Sequence, residues 1–305
     1  HYAAQAFADA GLRAVAAQGI IDFPAPGVPD PKEKIKHAAQ FLAQWRNHAL
    51  ISPAVFAHSP YTCSPDTLVA AKELARSEKA FLFLHTAETE QETSMIEEKR
   101  GDSPVRHLHN LGILDSETVC IHAVWLDEQD LDILAESGAA VVVCPQSNLK
   151  LASGTAPLQA MLDRNLRVGN GTDGTASYNR LDLLREMDIC AKLHKLPNLD
   201  PVAISAAQIV KMATKGGASV LGLNKKIGQL EVGKKADIIL INPDAPHLQP
   251  LHRAELPFYA AQGSDVQTVL INGKLLMRDR TILSFDPEET MEQVRRLAKQ
   301  IKRSA

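Results

Sequence analysis

Residues 81–90 read FLFLHTAETE: an apolar run delivers His85 to its end, and Glu88 follows three residues later. A short continuous apolar run closed by polar residues has the length and composition of a strand buried on both faces, and such strands belong to parallel sheets covered by helices. The same pattern recurs on both sides of this stretch. Short apolar runs at 12–17, 51–57, 80–84, 118–121, 139–143 and 166–169 alternate with helical periodicity, as at 65–77, 128–137 and 179–193. That is roughly six β-α units and an α/β chain.

Polar residues able to do chemistry stand where these strands end: His58, His85 with Glu88, His122, Ser147 with Asn148, and Asp173. The carboxyl ends of barrel strands collect active sites in this way. A doubly wound open sheet would also place ligands there, but it would usually carry a Gly-rich phosphate turn after an early strand, and the sequence has none. The expectation is therefore a (β/α)8 TIM-type barrel over residues 1–223. Beyond it, IGQLEVGKKADIILIN at 227–242 and VQTVLINGKLLMRDRTI at 266–282 predict strands of a small accessory β-sandwich over 224–285, with turns at Gly233 and at Asn272-Gly273. Residues 286–305 predict a charged amphipathic helix docked on the barrel.

Composition narrows the class of partner. The 305 residues are 45% hydrophobic and 23% charged with a net charge of −3, which gives no electrostatic reason to expect nucleic acid. A small molecule is the expected partner, and a homo-oligomer is compatible with the composition. The four cysteines, Cys63, Cys120, Cys144 and Cys190, form no C-x-x-C pair, and no stretch approaches the roughly 20 apolar residues of a membrane span. A reducing, cytoplasmic setting away from membranes is the expectation.

The strand-end residues suggest metal chemistry. A neutral imidazole binds a borderline divalent ion well, and a nearby carboxylate that is not a ligand can carry protons for bound water. Each residue alone has a plainer explanation: a structural histidine, a helix-start glutamate favoured by the dipole, or an Asx turn. Three of them at the ends of three strands, in the order His85, His122, Asp173, favour a metal site. One H-x-H pair, His107 and His109 in SPVRHLHNLGIL, resembles a ligand pair. Its leucines and valine recur at near-helical spacing, however, and on a helix residues i and i+2 diverge by about 200°, so it is expected to lie elsewhere.

Taken together, a strand-end His, then H-x-x-E, a second strand-end His, and G-T-D-G resemble the second half of the amidohydrolase superfamily pattern. PYTCS at 60–64, CPQSNLKLASGTAP at 144–157 and GTDGTASYNRLDLLREM at 171–187 resemble the methylthioadenosine/S-adenosylhomocysteine deaminase group. The resemblance implies hydrolytic deamination of an adenosine-type nucleoside, with His85 and Asp173 binding one divalent metal, zinc by preference. It implies that Asp173 takes the proton of the attacking water, that Glu88 carries a proton to the purine ring nitrogen, and that His122 steadies the water or the oxyanion. His58 would meet the ribose, and Arg13 would contact the amino-acid carboxylate of S-adenosylhomocysteine or else form a buried ion pair.

The chain departs from the family in one respect. The family's first barrel strand ends in an H-x-H pair that binds the metal, and none precedes Arg13. With about six units counted, the chain is expected to lack the first two barrel strands and to hold metal weakly by itself. Two other readings keep the same residues: a triazine-type chlorohydrolase or other aminohydrolase, and a metal-free relic that only binds nucleosides. The cytidine-deaminase zinc pattern is excluded, because Cys144 has no partner cysteine three residues on.

Overall fold

The computed structural model describes residues 1–25 and 27–304, with the side chains of residues 256 and 302–304 left aside. Its main sheet has six strands in sequence order, β1 (Ala14–Ile20), β2 (Ile51–Ala57), β3 (Leu82–Thr86), β4 (Thr118–His122), β5 (Ala140–Val143) and β6 (Arg167–Asn170). All five ladders are parallel. These are the six strands expected from the apolar runs, shifted by up to three residues at their ends. Among the described residues no ladder joins β6 back to β1.

Alternation along the strands separates two environments. Leu82 and Leu84 of β3, Cys120 of β4, Val141 and Val143 of β5 and Val168 of β6 enter one large core with the flanking helices. Phe81, Phe83, Val119, Ala140 and Val142 form a second cluster on the opposite face. His85 has the parity of Phe81 and Phe83, so the pleat directs it to that inner face, away from the helices.

Local chemistry explains where the helices begin. Pro65–Ser77 starts from Ser64, whose Oγ accepts the Thr67 N–H at 3.3 Å, and Glu128–Ser137 starts from Asp127 in a reciprocal capping box with Asp130. The helix expected over 179–193 begins later, at Leu183, because the Asp182 carboxylate accepts the Leu184 and Arg185 N–H groups; Asn179, at φ 73°, instead ends a short turn Thr175–Tyr178.

A separate antiparallel sheet follows, in the order β10 (Thr281–Ile282), β9 (Lys274–Arg278), β8 (Val266–Ile271), β7 (Ile238–Ile241). The expected sandwich is represented among the described residues by this one sheet. Asn272 (φ 53°) and Gly273 (φ 78°) make the tight hairpin between β8 and β9 that their sequence anticipates. Leu248, Ala261 and Val266 join the large core of the parallel sheet, so this segment is packed against it.

The terminal helix Pro287–Ser304 differs from expectation. It forms, but every residue from 285 to 301 is exposed, including the apolar stripe of Met291, Val294, Leu297 and Ile301. The docking inferred from its amphipathic pattern is not seen: a periodic stripe fixes the side chains' face but not what covers it. No helix among the described residues is long and apolar enough to cross a membrane.

Candidate active site

The carboxyl ends of β2, β3, β4 and β6 bring most of the strand-end residues together. The His58 and His85 rings lie 5.0 Å apart between centroids, His85 and His122 lie 5.3 Å apart, and Phe56 packs edge-on against His85 at 5.0 Å. The main chain binds the same cluster, since the His85 N–H donates to His58 O at 3.0 Å.

Burial disfavours the charged form of His85, and the neighbouring His122 and His58 add to this against the opposing charge of Asp173, so its pKa falls to about 4. The imidazole is neutral at ordinary pH. A hydrogen bond with the His58 main chain opposes the fall without reversing it. His58 is also shifted down, mainly by burial with Glu88 opposing, and its Nδ1 lies 2.9 Å from Thr62 Oγ1.

His122 reaches the cluster by a backbone device. Its parity is that of Cys120, which faces the helices, yet its ring meets His85. His122 and Ala123 adopt φ 74° and 49°, a left-handed turn that is unfavourable for residues with a Cβ and that redirects the ring inward. Once there, Nδ1–H donates to Asn148 Oδ1 at 2.9 Å, which leaves Nε2 facing Glu88 Oε2 at 3.7 Å. Glu88 is also approached by Ser153 Oγ at 3.4 Å.

Asp173 follows β6 with φ 58°. Burial works against its ionisation, but hydrogen bonds from Ser147 Oγ (2.7 Å), the Gly174 N–H (2.7 Å) and Ser177, together with the nearby His122, outweigh it and hold the pKa below the usual range. Of the two flanking glycines, Gly171 is required by space, since a Cβ there would lie 2.9 Å from Val142 Cγ1, whereas one at Gly174 would meet nothing within 4 Å. A neutral imidazole and an ionised carboxylate at one mouth suit a divalent ion by their donor chemistry. Among the described residues no group of three or more His, Cys, Asp and Glu is arranged to hold one.

One residue read as a substrate contact, Arg13, is not at this mouth. Arg13 precedes β1 at its amino end, and the seven residues of the strand separate it from the mouth by roughly 23 Å at about 3.3 Å per residue. There it forms an ion pair with Asp237, Nε to Oδ2 at 2.5 Å and Nη2 to Oδ1 at 3.1 Å. This is the buried ion pair that the sequence left open as the alternative to a substrate contact. His107 and His109 lie on the helix Pro104–Asn110, as their spacing indicated, outside the cluster.

Residues without an assigned role also take part. Ser147 and Asn148 stand on the helix Pro145–Lys150 after β5, and that helix is held by buried Glu186, which accepts the Gln146 N–H at 2.9 Å and Nε2–H at 3.0 Å. Their signal was visible as polar residues after a strand, but not their partners. An apolar groove of about 920 Å³, lined by residues such as Leu184, Met187, Ile241 and Phe258, contains none of the converging residues.

A match to the Amidohydrolase family extends over residues 2–276. The chain belongs to the amidohydrolase family. This amidohydrolase is 43% identical, over 99% of its length and 69% of the relative's, to a 5-methylthioadenosine/S-adenosylhomocysteine deaminase of Syntrophobacter fumaroxidans. Its structure superposes with a TM-score of 0.95 and 35% identity on a zinc-bound adenosine deaminase from Xanthomonas campestris, covering 98% of this chain and 68% of that one. A zinc-complexed atrazine chlorohydrolase of Arthrobacter aurescens shares the fold, with a TM-score of 0.88 at 23% identity, over 96% of this chain and 67% of that one. The amidohydrolase thus has the parallel α/β architecture of barrel hydrolases and spans slightly over two thirds of the length of each of these proteins.

Proposed function

We propose that this amidohydrolase deaminates the adenine ring of S-adenosylhomocysteine or 5′-methylthioadenosine by hydrolysis. The single observation that carries the proposal is the convergence of neutral His85, ionised Asp173, His122 and Glu88 at one mouth, in a chain 43% identical to a deaminase of that name.

His85 and Asp173 would hold one divalent ion, with zinc favoured by the zinc-bound relative of the same fold. When bound, the ion supplies the Lewis acidity that makes water nucleophilic near neutral pH. The remaining work falls to side chains. Asp173, ionised and fixed by Ser147 and Gly174, is oriented to accept the proton of the attacking water. Glu88 gives a proton to the ring nitrogen beside the amino-bearing carbon, so that this carbon becomes electrophilic. His122, locked by Asn148, presents Nε2 beside Glu88 and steadies the water that adds to the ring by accepting a hydrogen bond from it. Collapse with a proton on the amino group releases ammonia. His58, held against Thr62 at the rim, is placed to meet the ribose. The four buried free cysteines support a reducing, cytoplasmic setting.

The test is ammonia release from both nucleosides beside a triazine chloride. Turnover of the nucleosides supports the proposal, turnover of the triazine alone favours the chlorohydrolase alternative, and binding without turnover by metal-free protein favours a non-catalytic nucleoside binder.

A further inference from the structure

We propose that Glu92 is a positioning residue for Glu88: its buried carboxylate clasps the main chain of the turn at 87–89 and fixes where the Glu88 side chain reaches. The inference rests on the deaminase reading for the role of Glu88.

Glu92 is the third residue of the helix Glu90–Arg100, whose side chains are otherwise mostly exposed; only Glu92 and Ile96 are buried. The N-terminal residue Thr89 caps this helix, accepting the Glu92 N–H on its Oγ1 at 3.1 Å. In a standard capping box the third residue reaches back to the cap residue's own N–H. Here Glu92 Oε2 instead accepts the N–H of the residue before the cap, which is Glu88, at 2.8 Å, and the N–H groups of Ala87 and Thr89 also favour its charged form.

Three features separate this carboxylate from an ordinary surface cap. Glu92 is only 2% exposed, and its Oε1 is buried without a hydrogen-bond partner among the described residues. Burial, opposed by these backbone donors, pushes its pKa up to about 7. Keeping a carboxyl group in such a place costs stability, which an exposed cap would not. The turn it holds is itself unfavourable, since Ala87 carries a Cβ at φ 51°. Such conformations persist where their surroundings over-determine them. On the other side of the turn, Ala87 O accepts the Val124 and Trp125 N–H groups, both at 3.0 Å, tying it to the end of β4 beside His122. Glu88 is therefore carried on a turn clamped from β4 by one set of bonds and from the helix by Glu92.

The test uses the enzyme expressed from its native gene, with kcat, KM and amide exchange at Glu88 measured together. Glu92→Ala is expected to lower kcat roughly 10- to 100-fold with KM within about twofold, as misplacement of a reacting group does. Glu92→Gln keeps a carbonyl acceptor for the Glu88 N–H and is expected to stay within about threefold of wild-type kcat. Glu92→Asp withdraws the acceptor by one methylene while keeping the charge, and it decides the matter if the alanine variant does not fold; its kcat is expected to fall. The Glu88 amide should stay protected in the wild type and Glu92→Gln, and exchange roughly tenfold faster in Glu92→Ala and Glu92→Asp. Wild-type kcat in the alanine or aspartate variant, a loss in Glu92→Gln equal to that in Glu92→Ala, a loss confined to KM, or unchanged protection of Glu88 would each overturn the proposal. Absence of ammonia release by the wild type would instead count against the deaminase reading, while amide exchange would still decide the clasp.

Discussion

Replacing Glu186 by glutamine should make the protein's stability less sensitive to alkaline pH, by an amount the structure allows to be worked out. Glu186 is fully buried, and burial above all raises its pKa from 4.5 to about 7, with both Gln146 donors pulling the other way and the charge of Asp173 adding to the rise. An acid whose folded pKa is raised contributes stability below its unfolded value and loses it as pH climbs through the folded one, here between about 4.5 and about 7. Linkage with those two values gives a loss of roughly 2.5 kcal/mol between pH 5 and pH 8, as a ceiling. Glutamine cannot ionise, and a flip of the Gln146 amide would restore both hydrogen bonds. Urea unfolding of the wild type and Glu186→Gln at pH 5 and pH 8 is the assay. The variant should gain on the wild type by more than about 1 kcal/mol on going to pH 8, within that ceiling. A stability difference that is the same at both pH values would refute the reasoning.

The remaining predictions concern the mouth and the ion pair below it. Glu88→Gln should retain metal but lose roughly two or more orders of magnitude in kcat; near-normal ammonia release would return Glu88 to the role of a helix-start carboxylate. His85→Ala should lose metal itself, which elemental analysis of the dialysed protein would show, and an unchanged content would remove His85 from the ligand set. Arg13→Met should lower stability by roughly 1 to 3 kcal/mol through the loss of its bonds to Asp237. KM for S-adenosylhomocysteine should stay within about twofold, since the substitution leaves the mouth intact. A KM raised for S-adenosylhomocysteine but not for 5′-methylthioadenosine would reinstate Arg13 as a substrate contact.

The strands were legible because a parallel sheet covered by helices imposes short apolar runs, and 81–90 shows one with its chemistry attached. His85 and Asp173 could be placed from their positions at strand ends. His122 could be placed only in part, since simple alternation would turn its ring toward the helices, and the left-handed backbone that redirects it has no side-chain signature. Arg13 was ambiguous because its partner Asp237 is 224 residues away, beyond any local pattern. Glu92 did carry a signal, since Thr89-x-x-Glu92 is a capping-box spacing, but burial of such a carboxylate is set by how the neighbouring strand ends pack. The terminal helix shows the converse: its amphipathic period is plain, and the structure leaves its apolar stripe exposed.

The central claim is that water replaces the amino group on the adenine ring. Mass spectrometry of the nucleoside product formed by the native-gene enzyme from S-adenosylhomocysteine in 18O-labelled water tests it directly. The account predicts an intact nucleoside in which the amino group has been replaced by one labelled oxygen, with one equivalent of ammonia. Release of free adenine, or recovery of unlabelled substrate alone, would contradict it.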